Sequence, residues 1–74
     1  MNLDTLLKQV GKNIANFRKS NALTQRDVAD KIGITYRYFQ SIESGNANMT
    51  LSTMVRIARF FEVHISDLIP SRKA

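Results

Sequence analysis

One segment of the chain places polar side chains at a spacing that suits hydrogen bonding to the edges of nucleic-acid bases. In a helix, with about 100° between successive residues, these side chains share one side and supply hydroxyl groups, an amide and a guanidinium: Tyr36, Arg37, Gln40, Ser41 and Ser44. That side carries no carboxylate that would repel phosphate. The DNA major groove displays the complementary donors and acceptors. Because any surface helix must also show polar residues, an ordinary solvated face remains the alternative.

Net charge favours a polyanionic partner. Eleven Lys and Arg residues stand against six Asp and Glu residues, which gives a formal charge of +5. Seven of these cations lie within the first 37 residues, where only three carboxylates oppose them. Many small basic proteins are merely soluble, so the charge indicates nucleic-acid binding only in combination with the polar helix face.

Composition argues against several classes of function. The chain has no cysteine and one histidine, His64, so it lacks the ligands for thiolate zinc sites, His-pair metal sites and cysteine catalysis. It shows no carboxylate pair, Ser-His arrangement or Gly-rich phosphate loop, so we expect neither an enzyme nor a metal or other cofactor. No small-molecule effector is evident. No apolar run approaches the roughly 20 residues of a membrane span and no secretory signal is evident, so we expect no membrane partner and a cytoplasmic location.

Periodic apolar residues predict an all-α fold. The 74 residues suffice for one domain, which we place at residues 1–70, followed by a frayed tail at residues 71–74. The first helix is expected from about Leu3 to Lys19. Its apolar residues recur at steps of three and four: Leu3, Leu6, Leu7, Val10, Ile14 and Phe17.

Two short helices joined by a glycine turn follow. Thr24 is the expected N-cap of a helix from about Gln25 to Ile32, and Gly33 can take the positive φ that ends it. Thr35 is the expected cap of the next helix, which lasts to about Ser44. This is the layout of a helix-turn-helix, in which the second helix lies across the first and can protrude. The polar face described above belongs to that second helix.

The remaining residues predict two further helical segments. Thr50 caps the fourth helix, on which we expect Leu51, Val55, Ala58 and Phe61 to point inward, Phe60 to lie nearly opposite Leu51, and Ile57 to lie to one side. A last turn near Ser66 and Asp67 ends at Pro70 and makes five helices in all.

Several of these residues form one recognisable motif. The run Thr24-Gln25-Arg26-Asp27-Val28-Ala29-Asp30-Lys31-Ile32-Gly33-Ile34-Thr35, followed by Phe39, Ile42-Glu43 and Gly45, resembles the Cro/CI-type (XRE) helix-turn-helix family of phage repressors and bacterial regulators. Within that family the chain is similar to restriction-modification controller proteins and Cro-like repressors. The resemblance implies a compact five-helix domain of the lambda-repressor type that binds double-stranded DNA and regulates transcription.

The resemblance also implies roles for individual residues. The resemblance implies that four residues read the DNA bases: Tyr36, Arg37, Gln40 and Ser41. The resemblance implies phosphate contacts for Gln25, Thr35, Tyr38, Asn46, Asn48 and Thr50. Gln25 is also expected to brace the second helix of the motif. Structural roles are expected for Ala29, whose small side chain lets the two helices approach closely, and for Gly33, which allows the turn. Arg18 and Glu43 match an interhelical ion pair of the family.

Some of these roles have stated alternatives. Arg37 is the strongest candidate for base readout, because a guanidinium can pair with guanine O6 and N7. Tyr36 could instead pack on a thymine methyl group or reach a phosphate. Gln40 either reads adenine or buttresses Tyr36. Tyr38 either packs against the body or contacts phosphate through its hydroxyl.

An apolar surface at the end of the chain predicts self-association. We expect a two-fold homodimer on a palindromic operator, with the two reading helices in major grooves about 34 Å apart. Its expected interface residues are Phe60, Val63, Ile65 and Ile69. The alternative is a monomer whose last turn covers Phe60. A second alternative for function is a protein-interaction module, such as an antitoxin, in which DNA binding is secondary.

Overall fold

A computed structural model describes residues 2–70 and contains four α-helices. They are α1 (Leu3–Ser20), α2 (Gln25–Ile32), α3 (Tyr36–Ser44) and α4 (Leu51–Phe61). The first three begin and end within one residue of the positions that the sequence predicts, and α4 begins directly after its predicted cap, Thr50. The predicted frayed tail at residues 71–74 lies outside the described residues. Within residues 2–70, no helix is both long and apolar enough to cross a membrane.

The helix ends follow from local hydrogen bonding. The side chain of each N-cap residue, Asn2, Thr24, Thr35 and Thr50, accepts a hydrogen bond from the backbone N–H three residues later. Gly33 and Gly45 end α2 and α3 with φ values of 78° and 80°, which glycine adopts without steric penalty. The turn between α2 and α3 and the loop after α3 are therefore fixed by residue type.

The prediction of a fifth helix needs correction. Residues Ile65–Asp67 form a single 3-10 turn instead of an α-helix, so the described residues contain four α-helices. His64 precedes the turn, and Pro70 follows Leu68 by two residues and cannot continue a helical ladder. The backbone bonds of this turn join residues three apart, from the N–H of Asp67 to the carbonyl of His64 at 2.9 Å and from the N–H of Leu68 to that of Ile65 at 3.0 Å. Leu68 nevertheless reaches the core with no exposed surface.

The core lies where α1 packs across α3, with α2 and α4 closing it. Its buried apolar residues are Val10, Ile14, Val28, Ala29, Ile32, Phe39, Ile42, Ile57, Ala58 and Leu68. At Gly11 the backbone of α1 touches the end of α3, because a methyl group there would lie 2.5 Å from the carbonyl oxygen of Glu43. No motif in the sequence indicates this contact of Gly11.

The predicted orientation of α4 is partly wrong. Leu51, expected to point inward, is 69% exposed, whereas Ile57, expected at the side, is fully buried. Thr53 is also buried, and its hydroxyl oxygen accepts a hydrogen bond from the Thr50 hydroxyl at 3.1 Å. Because that bond satisfies the hydroxyl, a polar residue can occupy the inward stripe. Ala58 is buried as expected.

Candidate nucleic-acid interface

Helix α3 is anchored to the core along one side. Phe39 is fully buried and Ile42 is 1% exposed, and both side chains contact the rest of the core cluster. Thr35 caps the first turn by accepting a hydrogen bond from the N–H of Tyr38 at 3.0 Å. These contacts fix both the axis and the rotation of the helix, so its opposite side is presented to solvent.

The solvent side of α3 carries the predicted base-reading residues. Arg37 and Gln40 are exposed, and Tyr36 and Ser41 are half-buried. The one carboxylate of α3 belongs to Glu43, whose side chain is only 6% exposed and is turned toward α1. The outward side of α3 therefore combines a free guanidinium with neutral hydrogen-bonding groups, a combination that matches the edges of bases in the major groove.

Glu43 joins three helices at a single carboxylate. Arg18 of α1 donates from Nε to Glu43 Oε2 at 2.7 Å and from Nη2 to Oε1 at 3.1 Å. Gln25 of α2 donates from Nε2 to the same Oε1 at 2.9 Å. The hydrogen bonds with Glu43 raise the pKa of Arg18 above its ordinary value. This cluster of Arg18, Gln25 and Glu43, which we name the carboxylate brace, sets the position of α3 relative to α1 and α2.

Gln25 belongs to this brace. The resemblance implies that Gln25 both contacts a phosphate and braces the second helix of the motif, and the structure places its amide nitrogen on Glu43 of that helix. The bond holds the side chain in one orientation. The ion pair between Arg18 and Glu43 is present as the resemblance implies, and Arg18 also donates from Nη1 to the carbonyl of Leu23 at 2.9 Å.

The turn between α2 and α3 is closed by backbone bonds and by one residue of α4. The carbonyl of Ala29 accepts from the N–H groups of Gly33 and Ile34 at 2.9 and 3.0 Å. Arg56 donates from Nη2 to the carbonyl of Ile32 at 2.6 Å. A cation at this end also complements the helix dipole. The sequence carries no signal for this role of Arg56, because its partner is 24 residues away and is a backbone group.

Tyr36 is held from two sides. The guanidinium carbon of Arg26 lies 4.4 Å from the centroid of the Tyr36 ring, and Gln40 donates from Nε2 to the Tyr36 hydroxyl at 3.0 Å. The bond from Gln40 to the Tyr36 hydroxyl corresponds to the alternative in which Gln40 buttresses Tyr36. Arg26 was not singled out in the sequence, since a cation over a ring on a neighbouring helix leaves no signal in the spacing of residues.

Two predicted phosphate-contacting residues also hold the chain together. The Tyr38 hydroxyl donates to the carbonyl of Asn48 at 3.4 Å, and the Tyr38 ring packs against the core. Thr50 caps α4 through the N–H of Thr53 at 3.1 Å. Tyr38 thus follows the packing alternative while leaving part of its surface open.

The loop between α3 and α4 presents the two predicted asparagines. Asn46 and Asn48 both have exposed side chains. Asn46 donates from Nδ2 to the Ser44 hydroxyl at 3.0 Å, and its backbone N–H bonds the carbonyl of Ser41 at 2.9 Å. The loop is consequently ordered by its own hydrogen bonds and lies beside the end of α3.

The residues predicted to form a dimer interface are partly open. Phe60 is half-buried and meets Phe61 edge to face at 5.0 Å, and Val63 and Ile65 are also half-buried. Ile69 is 42% exposed and borders an apolar recess lined by side chains of α1 and of the start of α4. The last turn therefore covers only part of this surface.

The described residues contain no group of three or more His, Cys, Asp and Glu side chains placed to hold a metal ion. His64 is exposed, and its backbone N–H bonds the Asp67 carboxylate at 3.0 Å.

Comparison with known proteins places the chain in a family. The helix-turn-helix family model matches residues 14–68. The chain is 34% identical over 62 residues to y4dJ, an HTH-type transcriptional regulator of Sinorhizobium fredii, and the match covers 84% of this chain and 80% of that protein. It is 35% identical over 60 residues to the cryptic phage CTXphi transcriptional repressor RstR of Vibrio cholerae, covering 81% of this chain and 54% of the repressor.

A solved structure supports the same fold. The restriction-modification controller protein C.AhdI from Aeromonas hydrophila superposes with a TM-score of 0.80 at 22% identity, covering 84% of this chain and 94% of the controller. The sequence match, the exposed polar side of α3 and the braced helix pair agree with one another. The chain belongs to the Cro/CI-type helix-turn-helix family of DNA-binding transcriptional regulators.

Proposed function

We propose that this protein is a cytoplasmic, sequence-specific regulator of the repressor or restriction-modification controller type, which binds a palindromic operator as a homodimer. In each half-site α3 lies in the major groove. The observation that carries the proposal is the outward side of α3, where Arg37 and Gln40 are exposed and the only acid, Glu43, is turned inward. Regulation follows from occupancy of an operator that overlaps a promoter.

The contacts divide into reading and positioning. Arg37 reads guanine through its guanidinium, and Tyr36, Gln40 and Ser41 read neighbouring base edges. The DNA sugar-phosphate backbone is contacted by six residues: Gln25 in the first turn of α2, Thr35 and Tyr38 around α3, and Asn46, Asn48 and Thr50. The side chains of these residues are neutral, so the electrostatic part of binding comes from the protein's overall charge of +5.

Dimerisation brings two copies of α3 to one side of the DNA. The proposed interface uses Phe60, Val63, Ile65 and Ile69, and the exposed fraction of Ile69 supports it because that surface has no cover within residues 2–70. Two-fold symmetry places the reading helices about 34 Å apart, one helical turn of DNA. Sedimentation velocity across a concentration series tests this step, and a monomer at ~100 μM contradicts it; that concentration corresponds to an association weaker than about 5.5 kcal/mol.

Binding-site selection from random DNA is the main experiment. We expect a palindromic consensus, and we expect Arg37→Ala to relax the preference at one base pair of each half-site by about 1–3 kcal/mol. Gln25→Ala should lower the affinity for every sequence alike, because it removes a backbone contact and one hydrogen bond of the brace. Equal losses on all sequences from both variants would refute the assigned roles.

The alternative is an interaction module, such as an antitoxin, in which the surface around Phe60 and Ile69 binds another protein. The exposed apolar surface at Ile69 is the observation that favours it. Salt-sensitive binding with no sequence preference in the selection experiment would support this alternative over operator recognition.

A further inference from the structure

A cation of α2 lies against the reading side of α3. The Arg26 guanidinium carbon is 4.4 Å from the centre of the Tyr36 ring, within the range of a cation–π interaction. Gln40, one turn after Tyr36, donates from Nε2 to the Tyr36 hydroxyl at 3.0 Å. Two residues from two helices thus hold Tyr36 at its ring and at its hydroxyl in the protein without DNA.

The guanidinium of Arg26 forms no ion pair in the part of the chain that the structure describes. Within residues 2–70 the single ion pair joins Arg18 and Glu43. The neighbouring carboxylate of Asp27 accepts the backbone N–H of Thr24 at 2.9 Å in the capping box of α2. The guanidinium of Arg26 therefore interacts with the ring of Tyr36 while its N–H groups stay open to solvent or phosphate.

The contact defines the hydrogen-bonding character of Tyr36. Its hydroxyl oxygen accepts from Gln40, so its own proton is left to donate. In the major groove a donor is complementary to guanine O6 and N7, adenine N7 and thymine O4. A tyrosine that is already oriented also loses less side-chain entropy when DNA binds.

We infer that Arg26 is a positioning residue for base readout: through Tyr36, a residue of α2 determines the base preference opposite the start of α3. This inference rests on the proposed function. It assigns Arg26 a part in specificity, whereas a cation at the DNA surface would by itself add affinity for every sequence. Tyr36, Arg26 and Gln40 then act as one reading unit, which we name the Tyr36 clamp.

Three variants and one control test the clamp. Tyr36→Ala in a binding-site selection first identifies the base pair that Tyr36 reads. Arg26→Gln removes the cation but retains a long polar side chain, and Arg26→Lys retains the charge. Lys31→Gln is the matched control, because Lys31 is an exposed cation of the same helix. Arg26 and Lys31 are exposed and Tyr36 is half-buried, and circular dichroism verifies that each variant is folded.

We expect Arg26→Gln to reduce discrimination about two- to five-fold at the base pair that Tyr36 reads, the factor that corresponds to an exposed cation–π contact. Preference at the base pair read by Arg37 should be unchanged. Arg26→Lys should restore most of the discrimination. Lys31→Gln should leave discrimination unaltered at every position. In the Tyr36→Ala background, Arg26→Gln should cause no further loss of discrimination.

Equal weakening of all operators by Arg26→Gln, in the manner of a lost phosphate contact, would overturn the inference and leave the proposed function intact. A wild-type protein that selects no consensus would instead overturn operator recognition itself. A measurement without DNA is also decisive: the side-chain protons of Arg26 should show upfield ring-current shifts in the NMR spectrum that disappear in Tyr36→Ala. Unshifted Arg26 protons in the wild type would refute the clamp.

Discussion

Replacing Gly11 by alanine should destabilise the protein, although the same change in an exposed helix is stabilising. The substitution adds one methyl group at the point where α1 crosses the end of α3. The methyl carbon would lie 2.5 Å from the carbonyl oxygen of Glu43 and 2.8 Å from its carbonyl carbon. Both are backbone atoms at the end of a packed helix, so neither can move without displacing α3.

Two opposing terms set the magnitude. Alanine gains about 1 kcal/mol over glycine from helix propensity. Overpacking a close contact costs about 1–3 kcal/mol, and the upper end applies here because the overlapping atoms belong to the backbone. The net loss is then about 2 kcal/mol, which lowers the melting temperature of a domain of this size by roughly 8–16 °C.

Chemical and thermal unfolding followed by circular dichroism measures this difference. The neighbouring exposed position Lys12 provides a matched control, since Lys12→Ala should be more stable than Lys12→Gly by about 1 kcal/mol. The two positions should therefore respond to the exchange of glycine and alanine with opposite signs. A Gly11→Ala protein as stable as the wild type would refute the close approach of α1 and α3.

Three further predictions concern stability. Glu43→Ala leaves the Arg18 guanidinium, whose side chain is 13% exposed, with its bond to the Leu23 carbonyl but without a counter-charge. The variant should lose ~3 kcal/mol of folding free energy, and a thermal melt that matches the wild type would contradict this. Glu62→Gly should stabilise by about 0.5–1 kcal/mol in denaturant titrations, because φ is 59° at this C-cap and glycine removes the strain at some entropic cost. For Asp27, the backbone N–H of Thr24 lowers the pKa of the carboxyl, so its charge stabilises the folded state above about pH 4 and this stabilisation is lost on acidification. Asp27→Asn should therefore lower the melting temperature at neutral pH, and the difference in melting temperature between variant and wild type should become smaller in acid. A difference that does not change with pH would exclude the charge of Asp27 as its cause.

Local signals predicted the helices well. Thr24, Thr35 and Thr50 are N-caps in the structure, and Gly33 and Gly45 adopt the left-handed conformation that ends α2 and α3. Each of these features depends on hydrogen bonds or dihedral preferences within a few residues. The same residue types at the same spacing therefore predict them without knowledge of the tertiary structure.

Features that depend on packing between distant segments were predicted less well. Leu51 and Ile57 exchange their expected environments because the rotation of α4 is set by the helices that it meets, while its own sequence is apolar on more than one side. From the sequence alone, Gly11 is only a residue of low helix propensity, and its reason becomes visible when α3 packs against it. The Arg56 contact with Ile32 and the Arg26 contact with Tyr36 likewise join different helices.

The candidate site also contains features that local sequence predicts and features that depend on packing between distant segments. The outward direction of Arg37 and Gln40 follows from helical periodicity alone. The pair of Arg18 and Glu43 was available only through family resemblance, since 25 residues separate them. The resemblance implied that Gln25 braces α3, but it did not identify Glu43 as the partner, because that contact requires the relative placement of three helices.

The carboxylate brace limits how the helix-turn-helix can be transplanted. A segment comprising only α2 and α3 would carry Glu43 and Gln25 but would lack Arg18, which supplies two of the three hydrogen bonds to the carboxylate. Grafted onto another scaffold, such a segment would retain its sequence of side chains and lose the angle at which they are offered to DNA. The smallest portable unit therefore includes α1, even though α1 contributes none of the proposed contacts with the operator.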